Sequence, residues 1–206
     1  PNALILYDIL GAAYMGLQNA DKTIESYQKA LQLNPNHTDA YNNMGMALYD
    51  QGRFGEAVES YQKAVKLELD FADAHYNLGN AFKETGDLKQ AIASYKASLA
   101  INFDDAEVLS NYGNALKDYG DFDHAIKIYA KALKVNPNFA AAQTNMDNAV
   151  EEKTEIDNLI KKSLSEDKLI PESAQKLQYM AVWLYDKGNI QKALENLENA
   201  IGICPQ

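Results

Sequence analysis

Apolar residues recur along the chain at helical spacing in paired stretches, as in YNNMGMALYDQG at 41–52 followed by RFGEAVESYQKAVKL at 53–67. Apolar positions three and four apart share one face of a helix, and a glycine separates the two stretches, so the pair reads as helix, turn, helix. The same pattern then returns. Pro1, Pro35, Pro137, Pro171 and Pro205 all fall on a grid of 34 residues, whose two remaining nodes carry Leu69 and Phe103. Two glycine columns keep that period, one at Gly11, Gly45, Gly79 and Gly113, the other at Gly52, Gly86, Gly120 and Gly188. A fixed period of this kind marks a stack of like units, because a lone hairpin cannot bury its apolar face. Counted from the third residue after each proline node, the units are 4–37, 38–71, 72–105, 106–139, 140–173 and 174–206.

The first glycine column has a packing reason: a residue without a Cβ lets two helices approach. The small residues twelve positions on, Ala57, Ala91, Ala125 and Ala193, with Thr23 in the first unit, are its expected partners. Asp87, Asp121 and Asn189 follow the turn glycine and suit the N-cap of a second helix. Asn36, Asp70, Asp104 and Asn138 mark the approach to the next first helix. The unit 140–173 departs from the pattern, with Asp147 in the glycine column, Thr154 at the turn and Leu159 at the small position. A buried, unpartnered Asp is costly, so the expectation there is either a splayed pair or one helix from about Ala140 through Leu164. Good helix formers such as Glu151, Glu152, Lys153 and Lys161 favour continuity. The break is either a degenerate repeat or a hinge or insertion point for a partner.

Leu or Met before Gly, an apolar residue three later, then Ala, Tyr, Ala and a closing Pro over 34 residues resemble the tetratricopeptide repeat family. YNLGNAF at 76–82 and SYQKALQLNP at 26–35 carry the resemblance most clearly, and it covers essentially the whole chain. It implies an all-α fold, a right-handed superhelical solenoid of antiparallel helix hairpins, with first helices lining a concave surface that binds other proteins.

On each first helix, positions 2, 5, 9, 12 and 13 of the unit form one stripe flanked by position 6, and the resemblance places that stripe in the groove. Position 6 is Asn43, Asn77, Asn111 and Asn145; position 9 adds Asn80, Asn114 and Asn148. An Asn amide offers both a donor and an acceptor, so a regular row can pair with the backbone of an extended peptide whatever its sequence. The row is similar to the asparagine ladder in the repeat domain of O-linked N-acetylglucosamine transferase. The alternative is that these amides are solvated or serve between helices. Tyr49, Tyr76, Lys83 and Lys117 complete the candidate groove with Asp39 and Asp73. Its charge is acidic, with Asp50, Glu84, Glu107, Asp118, Glu151 and Glu152 as well. One branch of the family grips acidic chaperone tails with a clamp of Lys, Asn, Lys and Arg. Position 2 here is Asp39, Asp73 or Glu107, and position 5 is Asp8, Asn42, Tyr76 or Ser110, so that function is rejected.

A formal charge of −10 argues against nucleic acid and anionic membranes and for neutral or basic protein partners. No apolar run is long enough to span a bilayer. Cys204 has no partner for an internal disulfide, so a reducing compartment such as the cytoplasm is expected. The chain opens at Pro1, and LILYDILGAAYM and IGICPQ give neither end the polar cap of a solenoid terminus. More protein beyond the ends is therefore expected, or self-association through them. Apolar Ile5, Ile9, Met15, Tyr179, Val182 and Tyr185 are either ligand anchors or packing surfaces for such neighbours. His37, His75 and His124 are scattered, and each glycine column has a structural reason, so no metal, cofactor or catalytic site is expected. The leading reading is a peptide-binding module. A substrate-recognition segment of a larger enzyme, such as a glycosyltransferase, sulfotransferase or oxygenase, and a self-assembling scaffold are the alternatives.

Overall fold

The computed structural model describes residues 2–166, 177–178, 180–182, 184 and 195–200. The described residues form α-helices joined by short turns, with no strand among them: α1 (Asn2–Gly16), α2 (Ala20–Leu33), α3 (Thr38–Asp50), α4 (Phe54–Leu67), α5 (Ala72–Glu84), α6 (Leu88–Ile101), α7 (Ala106–Asp118), α8 (Phe122–Val135) and α9 (Ala140–Glu166). The chain forms two compact units, Pro1–Asn111 and Tyr112–Gln206.

In the first unit each helix packs on the next, so α2 lies against α1 and α3, and α4 against α3 and α5. The first helices of successive hairpins also touch, α1 with α3 and α3 with α5, whereas α2, α4 and α6 do not meet one another. This asymmetry sets α1, α3 and α5 side by side as one surface. Small residues permit the close approach: Ala30, Ala57, Ala64, Ala74, Ala81 and Ala91 have no exposed surface. A Cβ added at Gly11, Gly45 or Gly79 would lie 2.6–2.7 Å from the ring of Tyr27, Tyr61 or Tyr95 respectively. The expected partners of the glycine column are buried, but the group that fills the space over each glycine is the tyrosine sixteen residues on. The glycine makes room for a ring rather than for a second small residue.

The turns follow from backbone chemistry. Gly52 and Gly86 adopt φ of 72° and 81°, the left-handed region that glycine enters without steric cost. The next amide closes the helix end, Arg53 N–H donating to the Leu48 carbonyl at 2.9 Å and Asp87 N–H to that of Phe82 at 2.9 Å. In the first hairpin the same place is held by Gln18 at φ 55°. A non-glycine residue there costs about 1 kcal/mol, so Gln18→Gly should raise the unfolding free energy by roughly 0.5–1 kcal/mol, read as a higher urea midpoint at unchanged slope. A lower midpoint would contradict this reading of the turn.

Asp87 caps α6, accepting from the Gln90 amide at 3.2 Å, as its position after the glycine predicts. Asn19 does the same for α2 with Lys22. First helices begin differently. His37 and Phe71 hold the N-cap places of α3 and α5 without a side-chain cap bond. Asn36 is itself bound, its amide donating to the Asn34 side chain across Pro35 at 3.1 Å. His37 instead anchors α1, with Nε2 2.9 Å from Asp8 Oδ2.

In the second unit, Tyr129 fills the space over Gly113, and Ala125 and Ala132 are fully buried. Gly120, at φ 87°, turns the chain into α8, which Asp121 caps through the His124 amide. Residues 140–166 of the irregular unit form one helix of 27 residues, α9, packed on α8. Asp147 is exposed and accepts from Gln143 at 2.9 Å, and Thr154, at the missing turn, donates its hydroxyl to the Val150 carbonyl at 2.7 Å. Lys153 pairs with Asp123 at 3.0 Å, and Ile156 is buried. Gly188, Asn189, Ala193, Pro171, Cys204, Pro205, Tyr179 and Tyr185 lie outside the described residues.

Candidate functional site

The surface made by α1, α3 and α5 carries Asn43, Asn77 and Asn80, while Asn111 and Asn114 stand on α7 and Asn145 and Asn148 on α9. Three amides of the position 6 column, Asn43, Asn77 and Asn111, reach out of their own hairpins. Asn77 Nδ2 donates to Asn42 Oδ1 at 3.0 Å, and Asn111 Nδ2 donates to the Tyr76 hydroxyl at 2.8 Å, both to a residue 35 earlier in the chain. Asn43 Nδ2 donates to the Tyr27 hydroxyl at 3.2 Å. The position 9 column works within its hairpin: Asn80 Oδ1 accepts from the Tyr95 hydroxyl at 2.7 Å. The Asn77 and Asn111 bonds join neighbouring first helices, the Asn43 and Asn80 bonds tie first helices to second ones, and each holds its amide in one orientation. Side chains fixed in this way present their remaining polar capacity at little further entropic cost.

Asn42 is buried and central to this network, although the sequence marks it only as an uncharged residue at position 5. The signal for it is the separation of 35, one more than the period. Two parallel first helices lie in register, so position 6 of one meets position 5 of the helix before it.

Between α3 and α5 the surface opens into a cleft of about 120 Å³ lined by Met46, Tyr49, Asp50, Tyr61, Asn77 and Asn80. Tyr49, Asn77 and Asn80 of the candidate groove thus converge on one feature. Tyr49 packs edge-on against Phe54, with ring centroids 5.1 Å apart. Burial raises its phenol pKa, and the Glu84 carboxylate beside it raises it further. Tyr76 donates to Glu107 at 2.8 Å while accepting from Asn111. Asp39 and Asp73 stand exposed on α3 and α5, and Lys83 is half-buried on α5. Ile5 and Ile9 on α1 are also exposed, while Met15 is half-buried.

In the second unit Asn114 accepts from Tyr129 at 2.7 Å, repeating the position 9 bond. Lys117 pairs with Glu152 of α9 at 3.3 Å. Asn145 is half-exposed and Asn148 exposed on α9, and Val182 is exposed. Among the described residues no group of three His, Cys, Asp or Glu side chains could hold a metal ion, and no helix is long and apolar enough to cross a membrane.

The phenol of Tyr76 has a testable consequence. Burial, reinforced by Glu107 and opposed by the Asn80 and Asn111 amides, pushes its pKa from 10.0 up to about 12. The folded state favours the neutral phenol. Its contribution is therefore fully present below the unfolded value and is lost as pH rises through the folded one. Buried Tyr61 is shifted upward too. The melting temperature should hold up to about pH 10 and fall above it; a rise in that window would contradict the assignment.

Comparison with known proteins gives matches along most of this length. The model described as "TPR repeat" matches residues 11–52 and 45–86, and two described as "Tetratricopeptide repeat" match 72–105 and 106–139. Among solved structures, a crystal structure of MamA protein is similar at 21% identity and a TM-score of 0.64, over 97% of this chain and 91% of that one. A second crystal structure of MamA has 22% identity and a TM-score of 0.62, covering 94% and 93%. A MamA segment from Desulfovibrio magneticus RS-1 has 16% identity and a TM-score of 0.64, covering 98% and 96%. At these identities the likeness is one of fold. No curated protein matches the sequence.

Proposed function

The chain belongs to the tetratricopeptide repeat family, and on that premise we propose that it is a protein-interaction module whose first helices hold an extended polypeptide segment along the asparagine row. The single observation that supports this most is the fixed amide row. Asn43, Asn77, Asn80 and Asn111 are each held by a hydrogen bond to a neighbouring helix, and each is only partly buried. Backbone pairing by such amides is indifferent to the side chains of the ligand, so selectivity falls to the clefts and charges between them. The acidic surface residues favour neutral or basic segments over acidic ones.

A random-peptide phage library selected against the chain tests the reading. The enriched peptides should lose affinity by about tenfold or more when Asn77, Asn80 and Asn111 are together replaced by alanine, with the helix content preserved. Peptides that bind this variant as well as the parent would remove the asparagine row from the binding surface.

A further inference from the structure

Four tyrosines occupy the same place in successive hairpins, and three have a hydroxyl partner. Tyr95 donates to Asn80, Tyr129 to Asn114, and Tyr27 accepts from Asn43. Tyr61 has no such bond: Met46 stands where Tyr95 and Tyr129 find Asn80 and Asn114, and Asn77, the counterpart of the Asn43 that serves Tyr27, donates to Asn42 instead. Tyr61 is only 2% exposed, yet it lines the cleft between α3 and α5. Its side chain opens on that cleft, and a ligand that displaces water from the hydroxyl without offering a hydrogen bond leaves it unsatisfied.

The rest of the lining points to what enters. Asp50 is the last residue of α3, and no basic residue occupies that last turn. The carboxylate therefore adds to the negative end of the helix dipole rather than balancing it. Tyr49 and Tyr61 line the cleft, an aromatic ring attracts a nearby cation, and Met46 supplies a flexible apolar surface for a methylene stem. The residues on the cleft wall include no cation. An acidic side chain would be repelled by Asp50, and an aliphatic one would leave the Tyr61 hydroxyl unmet. The volume of about 120 Å³ holds about four waters, which suits one unbranched side chain.

We propose that this cleft is a specificity pocket for a cationic side chain, lysine or arginine, of a polypeptide bound along the groove. The inference rests on the groove reading and adds to it the class of residue recognised. The ammonium or guanidinium group meets Asp50, and a donor hydrogen from it satisfies the Tyr61 oxygen. Met46 makes the pocket: an asparagine there, as in the next two hairpins, would occupy the hydroxyl and close it to the ligand.

The test is an NMR titration of the intact, isotope-labelled chain with acetylated, amidated Gly-Ser peptides that carry lysine, arginine, norleucine or glutamate at one central position. The lysine and arginine peptides should bind about tenfold tighter than the norleucine peptide, shifting Met46, Tyr49, Asp50 and Tyr61. Met46→Asn leaves the net charge unchanged, so it separates the pocket from general attraction to an acidic surface. That variant and Asp50→Asn should each abolish the lysine preference while the norleucine peptide binds as before. Equal binding of lysine and norleucine peptides, with shifts confined to the asparagine row, would overturn the pocket and leave the groove standing. A preference that survives Met46→Asn, or a preference for glutamate, would also overturn it. Absence of binding by every peptide would remove both readings.

Discussion

Replacing Tyr95 by alanine should lower the unfolding free energy by about 3–5 kcal/mol, among the largest losses available to one substitution in this chain. The ring has no exposed surface, and it fills the space above Gly79, so its removal leaves a cavity between α5 and α6 that the packed backbone cannot close. The hydroxyl adds a second part, because its loss also removes the hydrogen bond that Asn80 Oδ1 accepts. The two parts separate by comparing phenylalanine variants. Tyr95→Phe should cost about 1 kcal/mol for the broken bond, whereas Tyr61→Phe, which breaks no bond, should be close to neutral. Urea unfolding of the three variants measures all of this; a Tyr61→Phe variant as damaged as Tyr95→Phe would mean that the hydroxyl partners do not differ.

A proline at Thr154 should be nearly as damaging, for a different reason. A proline inside a helix removes one backbone hydrogen bond and clashes with the carbonyl four residues back, costing about 3 kcal/mol or more. In α9 that carbonyl is Val150, which already receives the Thr154 hydroxyl. Thr154 itself is exposed, so the substitution disturbs no core contact and reports on the backbone alone. Circular dichroism should show helix loss together with a lower melting temperature. Unchanged helix content and stability would mean that the chain turns at Thr154, as the regular units do at their glycines, and that α9 is not one helix.

The repeat was legible in the sequence because a stack of like hairpins imposes the same demand at the same place in every unit. The turn needs a left-handed residue, and Gly52, Gly86 and Gly120 supply it. Asp87 and Asp121 follow those glycines and cap the next helix for the same reason. The long α9 was one of two alternatives left open, and the exposure of Asp147 explains the outcome: a continuous helix lets the carboxylate reach solvent, where a tight hairpin would bury it.

What the sequence withheld was which side chains meet across helices. Period alone places Gly45 and Ala57 in columns, but the depth of the tyrosine ring decides that Tyr61 covers the glycine. The reach of Asn77 to Asn42 depends on the register of parallel first helices, which no spacing within one unit encodes. The cleft beside Tyr61 follows in part from Met46, which reads in sequence as one more apolar residue on a helix. Its effect becomes visible only when the neighbouring hairpins show what the tyrosine hydroxyl normally binds.

The central claim is that ligand lies along the first helices on the amide row. The most direct measurement follows the side-chain NH₂ signals of Asn43, Asn77 and Asn80 while a phage-selected peptide is added, together with the backbone amides of α4 and α6. The account predicts that the asparagine signals shift and show intermolecular contacts to the peptide backbone, with the second helices unmoved. Shifts confined to α4 and α6, with the asparagine signals unchanged at saturation, would contradict it.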